Sequence, residues 1–236
     1  WANLTTTQVQ AFTTAQIRGL TTDDLNAMGT AQWASLQTAQ LAALTTDQIA
    51  SLESADAAAI GANGIRALSS AQIGALNTDS VVALTTAQAA ALTGAQLAAM
   101  TTAQVAAIES SDLRALSSAA LQSLGTAAVA ALTSEQLSAL SSTQVATLNT
   151  AQIRAIETGD LRALSTTNVA ALTTDQIVAL TTAQVANLTT AQVAAFTTEQ
   201  AAAMEVADVA ALSLAQVVAL GSTNLAAMSS DQVAAL

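Results

Sequence analysis

Three pairs of acids recur along the chain with a 48-residue period: Glu109 with Asp112, Glu157 with Asp160 and Glu205 with Asp208. Arg18, Arg66, Arg114 and Arg162 follow the same step, and Arg114 and Arg162 each stand two residues after an Asp of those pairs. Paired carboxylates can do acid–base chemistry or hold a hard cation. If the chain stacks on this period, six carboxylates form a ladder that would offer calcium its oxygen ligands. The plainer reading is that each Asp replaces a helix-capping residue and that the stacked Arg114 and Arg162 neutralise the row. The ligand spacing and turn glycine of a calcium loop are absent, which favours the plainer reading. Glu109, Asp112, Arg114, Glu157, Asp160, Arg162, Glu205 and Asp208 are therefore structural ladder candidates, and no catalytic, cofactor-binding or metal-ligating residue is assigned.

Other chemistries fail on composition. The 236 residues include no His, Cys, Tyr or Pro, and all five basic residues are Arg. That removes the His general base, the thiolate nucleophile, the Schiff-base lysine and the Cys/His zinc site. Ser and Thr are abundant, but a hydroxyl nucleophile lacks its usual activating base, so a non-catalytic protein is expected. Five cations against sixteen acids, a net charge of −11, exclude the basic footprint of a nucleic-acid binder. Apolar residues make up 52%, yet Thr or Ser interrupts them so regularly that no run approaches the ~18–20 residues a membrane span needs.

These residues sit in a repeat that fills almost the whole chain. Residues 5–236 form 29 octads without insertion or deletion, of consensus TTAQVAAL, after a leading segment, residues 1–4. Position 8 is Leu, Ile, Met or Phe in all 29, position 7 is Ala in 23, and position 4 is Gln, Asp or Asn in 25. Eight residues advance an α-helix by about 800°, so one continuous helix would displace its apolar stripe by about 80° per repeat. In a strand, positions 5 and 8 would point to opposite faces.

A run of very short helices satisfies every column. With position 1 as N-cap, Thr-x-x-Gln is a capping box, and the preceding position 8 with the following position 5 forms a hydrophobic staple, as in Leu180, Thr181, Gln184 and Val185. The charges are sorted accordingly. All sixteen acids lie at positions 1, 3 or 4 and all five Arg, including Arg154, at position 6, as the helix dipole favours.

An isolated octad orders eight residues at a cost of about 8–16 kcal/mol and buries one Leu and one Val, each worth about 2–3 kcal/mol. Stability therefore requires stacking on neighbouring coils. The 48-residue period is either a duplicated block or a whole number of coils, one of six helices or two of three. The expected fold is all-α: a solenoid of short capped helices, one per octad, in a single repeat domain, with a 48-residue higher period. Leu and Val fill its interior, small Ala residues let backbones approach, and Thr, Gln and the acids face water. Trp33, at position 5, is read as core, while Trp1 is a cap or a loose end, and the non-Met start reads as a segment of a longer protein.

Thr repeated at position 2 over a rigid face is also what ice-binding solenoids present. That would require one unbroken column, and Ala62, Gly94, Val206 and Leu214 interrupt the series. At LTTAQVAALTT the chain resembles the octapeptide arrays of large bacterial surface, adhesin-like proteins, a resemblance that covers all 29 octads. The Leu-Thr-x-x-Gln core is also similar to the LTxxQ motif of small periplasmic helical chaperones. The surface-array resemblance implies secretion, a cell-surface location and attachment to the remainder of a larger parent chain. It carries over no haem ligand, since His, Cys and Tyr are absent and all four Met occupy position 8. The expected function is a structural spacer or display rod, with no cofactor and no membrane insertion. The alternative is a repetitive surface that binds a protein, a glycan or ice.

Overall fold

A helix of five or six residues is almost all ends. Its first four N–H and last four C=O groups have no partner within the helix, so outside groups must satisfy them. The computed structural model describes residue 1 and residues 3–236, and it shows how that is done. Octad after octad forms one short helix. The helix Thr102–Ala107 is representative: Thr101, extended at φ −72° and ψ 160°, accepts from the Gln104 N–H, and Gln104 closes the capping box. At the other end the Ile108 N–H donates to Val105 O, and Ile108 turns extended at φ −63° and ψ 128°. Two extended residues, Ile108 and Glu109, therefore separate this helix from the next, Ser110–Ala115.

The chain divides into two compact units, Trp1–Leu124 and Gly125–Leu236. Within each, a helix packs on the helices three octads before and after it. In the first unit Thr86–Ala91 lies between Ala62–Ala67 and Ser110–Ala115; in the second, Thr174–Ala179 lies between Thr150–Ala155 and Thr198–Ala203. Three octads make one coil, so the 48-residue period spans two coils of three helices. Positions 5 and 8 fill the interior. Ile17, Ile49, Ile73, Val105 and Val193 are fully buried, and Trp33 packs with them as expected.

One expectation is corrected. Gln at position 4 faces water only in the first coil, at Gln8 and Gln16; Gln40, Gln72, Gln104 and Gln184 expose 1–3% of their surface. Each reaches the coil beneath. Gln104 Oε1 accepts from its own N-cap, Thr101 N, at 2.7 Å, while Nε2 donates to Ile73 O at 3.0 Å and Leu76 O at 2.7 Å. Those carbonyls, 31 and 28 residues earlier, lie at the C-terminal end of a helix one coil below, where Ile73 O also accepts from Leu76 N–H. One amide thus serves both the start of its own helix and the end of another. The leading segment obeys the same rule, because Gln32 Nε2 donates to Trp1 O and Leu4 O at the same two offsets.

Departures have local causes. Octad 157–164 has Glu at position 1, Gly159 at position 3 and Asp160 in place of Gln, and it forms only a 3₁₀ turn, Asp160–Ala163, with Gly159 at its N-cap. At Gly221, φ is +75°, open to glycine at little cost, and the flanking helices run together as Leu214–Ala227 across a kink.

The double duty of Gln104 can be tested with Gln104→Glu. The variant keeps the shape and the acceptor but turns the donor into an oxygen facing two carbonyls. It should cost roughly 2–4 kcal/mol at pH 7 and recover part of that at pH 4, where the acid is neutral. Ala103→Glu, at an exposed position where other octads carry native acids, should change stability by less than about 0.5 kcal/mol. Urea unfolding followed by circular dichroism checks both; equal effects would contradict the buried role.

Candidate functional site

Every third octad stacks in one column, so each unit builds three. The first column holds octads 5–12, 29–36, 53–60 and onward; the second begins with 13–20 and the third with 21–28. All eight ladder candidates fall in the second column, as do Arg18 and Arg66. They occupy alternate coils. Between Asp160 and Asp208 lies the octad of Thr181, Gln184 and Ala186, and below Asp112 lies that of Thr85 and Gln88. Asp160 and Asp208, one full period apart within one unit, are thus two coils apart, and the capped, Gln-tied helix Thr182–Asn187 separates their octads.

Within an acid octad the two carboxylates differ. Glu109, Glu157 and Glu205 are exposed, and Glu109 and Glu205 stand at the N-cap, where their charge favours the helix dipole. Asp112 and Asp208 are buried and Asp160 half-buried. None of these three closes a capping box. Each instead takes the position 2 hydroxyl from 26 residues earlier: Thr86 Oγ1 donates to Asp112 at 2.8 Å, Thr182 Oγ1 to Asp208 at 2.7 Å, and Ser134 Oγ to Asp160. The Asp side chains are cross-coil acceptors. Arg114 and Arg162 are exposed. Among the described residues, no three acidic side chains are grouped to hold a metal ion.

Electrostatics separate the Asp residues further. Burial raises the Asp208 pKa, opposed by the Thr182 hydroxyl and assisted by Glu205. Asp56, a first-column Asp in the same position, is raised to about 6 by burial and by Glu53. The Trp33 indole N–H draws it down slightly; that nitrogen is buried and makes no full hydrogen bond. Asp24, in the first coil, is lowered instead, because the Thr21 hydroxyl, the Thr21 N–H and the Trp1 indole all donate to it.

The residues with the most work to do were not among the ladder candidates. They are the position 4 amides, and the sequence carries a signal for them. In a capping box Glu serves as well as Gln and suits the helix dipole better. Position 4 holds 18 Gln and no Glu in 29 octads, a bias that the second, donating bond of the amide accounts for.

No helix among the described residues is long and apolar enough to cross a membrane. No curated protein is significantly similar to the chain. The family model for the ALTTAQ repeat matches five segments, residues 20–54, 49–86, 105–142, 153–190 and 201–236, which together span most of the octads. With its capped octads in phase throughout and that model recurring along them, the chain belongs to the ALTTAQ repeat family.

Proposed function

We propose that the chain is a structural spacer or display rod of an extracellular bacterial surface protein and performs no catalysis. The observation that carries this reading is the uniformity of the cross-coil tie. Gln40 in one unit and Gln200 in the other donate to carbonyls at the same two offsets, at 2.9 and 2.9 Å and at 2.9 and 2.7 Å. Each coil adds a similar increment through similar bonds, and the outer positions are mainly Ala, Thr and Ser. A spacer needs regular length and a bland surface, and this design supplies both. The cell-surface setting rests on the resemblance to octapeptide arrays of surface proteins.

Deletion of residues 37–84 removes two coils and rejoins the octads in register. It should leave the helical circular dichroism per residue unchanged and shorten the molecule by about 16–20 Å, at 8–10 Å per packed helix layer. Small-angle X-ray scattering reads the length. Lost helicity or an unchanged maximum dimension would overturn the spacer reading.

A specific observation favours ice as a second reading. Three octads per coil place Ala62 and Val206 in the second column and Gly94 and Leu214 in the third. The first column is left unbroken at position 2: Thr6, Thr30, Ser54, Thr78 and Thr102 in one unit, then Thr126, Thr150, Thr174, Thr198 and Ser222 in the other. All but half-buried Thr198 are exposed. If this face binds ice, the protein shows thermal hysteresis, Thr78→Leu with Thr102→Leu abolishes most of it, and Thr46→Leu with Thr22→Leu in the third column leaves it intact. Absence of hysteresis, or equal loss in both variants, would remove this reading and leave the spacer.

A further inference from the structure

Two octads carry Asn at the tie position and show what a side chain of Asp length does there. Asn168 Oδ1 accepts from Ser142 Oγ at 3.0 Å, 26 residues earlier, and Nδ2 donates to Leu140 O at 2.8 Å, 28 residues earlier. Asn224 Nδ2 reaches Phe196 O, again 28 residues earlier, at 2.8 Å. Asp208 repeats the accepting half of that pattern, from Thr182 Oγ1 at 2.7 Å. The carbonyl at the Asn offset from Asp208 belongs to Leu180. For Asp56 the corresponding carbonyl is that of Met28. A carboxylate and a carbonyl can both only accept; a proton on the carboxyl makes one of them a donor.

We propose that Asp56 and Asp208 are proton-operated ties: in the acid form each donates to that carbonyl of the coil beneath and fastens its coil as Asn and Gln do, and in the ionised form that bond is absent and the coil is loosened. Both side chains expose no more than 4% of their surface, so the ionised form gains little from water. The charged groups around them push the same way. Asp56 belongs to helix Ser54–Ala59, which packs on Thr30–Ser35, with no charged residue, and on Thr78–Val82, which brings Asp79; Glu53 caps its own octad. Asp208 belongs to Val206–Ala210, which packs on Thr182–Asn187, with no charged residue, and on Ser230–Ala234, which brings Asp231; Glu205 caps its octad. The direction of the pKa values agrees, upward for both, whereas Asp24, which accepts from three donors, moves downward. The linkage sign follows. A carboxyl whose folded pKa lies above its unfolded value contributes stability that is complete below the unfolded value, near 3.8 for Asp56. That contribution is lost as pH rises through the folded value, about 6 for Asp56.

Thermal unfolding of the whole chain by circular dichroism between pH 4 and pH 8 tests this. The wild type should lose several degrees of Tm from pH 4 to pH 7. Asp56→Asn with Asp208→Asn should lose much less and exceed the wild type at pH 7. Asp47→Asn with Asp175→Asn, the same change of charge at exposed positions, should track the wild type. A double Asp56/Asp208 variant that falls as steeply as the wild type, or melts below it at pH 7, would overturn the proposal. Carbon-13 carboxyl titration of the wild type gives an independent reading: midpoints above the ordinary carboxylate range for both residues support it, and midpoints near 4 overturn it.

Discussion

The fold depends on one constraint: a helix of five or six residues cannot satisfy its own backbone. Nearly every N–H belongs to the first turn and nearly every C=O to the last, and both ends are packed against other coils. The position 4 side chain resolves this at both ends. Its oxygen takes the N-cap N–H of its own helix, and its nitrogen takes the terminal carbonyls of a helix one coil beneath, as Gln176 does with Val145 O at 2.9 Å and Leu148 O at 2.6 Å. Hydrophobic burial at positions 5 and 8 supplies the drive for stacking, but it is not directional. The amide supplies the register, because its reach admits only the last carbonyls of the helix directly beneath.

That register turns the linear pattern into three columns and gives the 48-residue period a geometric place. In the unit Gly125–Leu236 the octads of Asp160 and Asp208 occupy alternate coils of one column, with the Gln-tied octad of Gln184 between them. The same register sorts the side chains at the second octad position and concentrates all four non-hydroxyl interruptions in two columns.

Much of this was legible in the sequence because its signals are local. Thr101 with Gln104 and Leu180 with Val185 state where each helix starts, and the sorting of acids and Arg confirms its polarity. The coil length was not legible, since one coil is half of the visible period and the octads of adjacent coils differ little in hydropathy. The burial of Gln was misread for a related reason: the capping box already explained the residue, so a second bond, to a carbonyl one coil away, had no local trace beyond the absence of Glu. The acid pairs looked like a unit because Glu109 and Asp112 are close in sequence, yet one is exposed at a cap and the other is buried against Thr86. Glycine effects at Gly159 and Gly221 were equally hidden, because they depend on which caps are missing around them.

The central claim is that the side chain of position 4 spans two coils, and nuclear Overhauser contacts from a Gln side-chain amide test it most directly. With Gln104 labelled, its Nε2 protons should show cross-peaks to residues 73 and 76 and exchange slowly with water, because Ile73 O and Leu76 O lie 3.0 and 2.7 Å away. Cross-peaks confined to residues 101–108, with fast exchange, would place the amide in solvent and contradict the account.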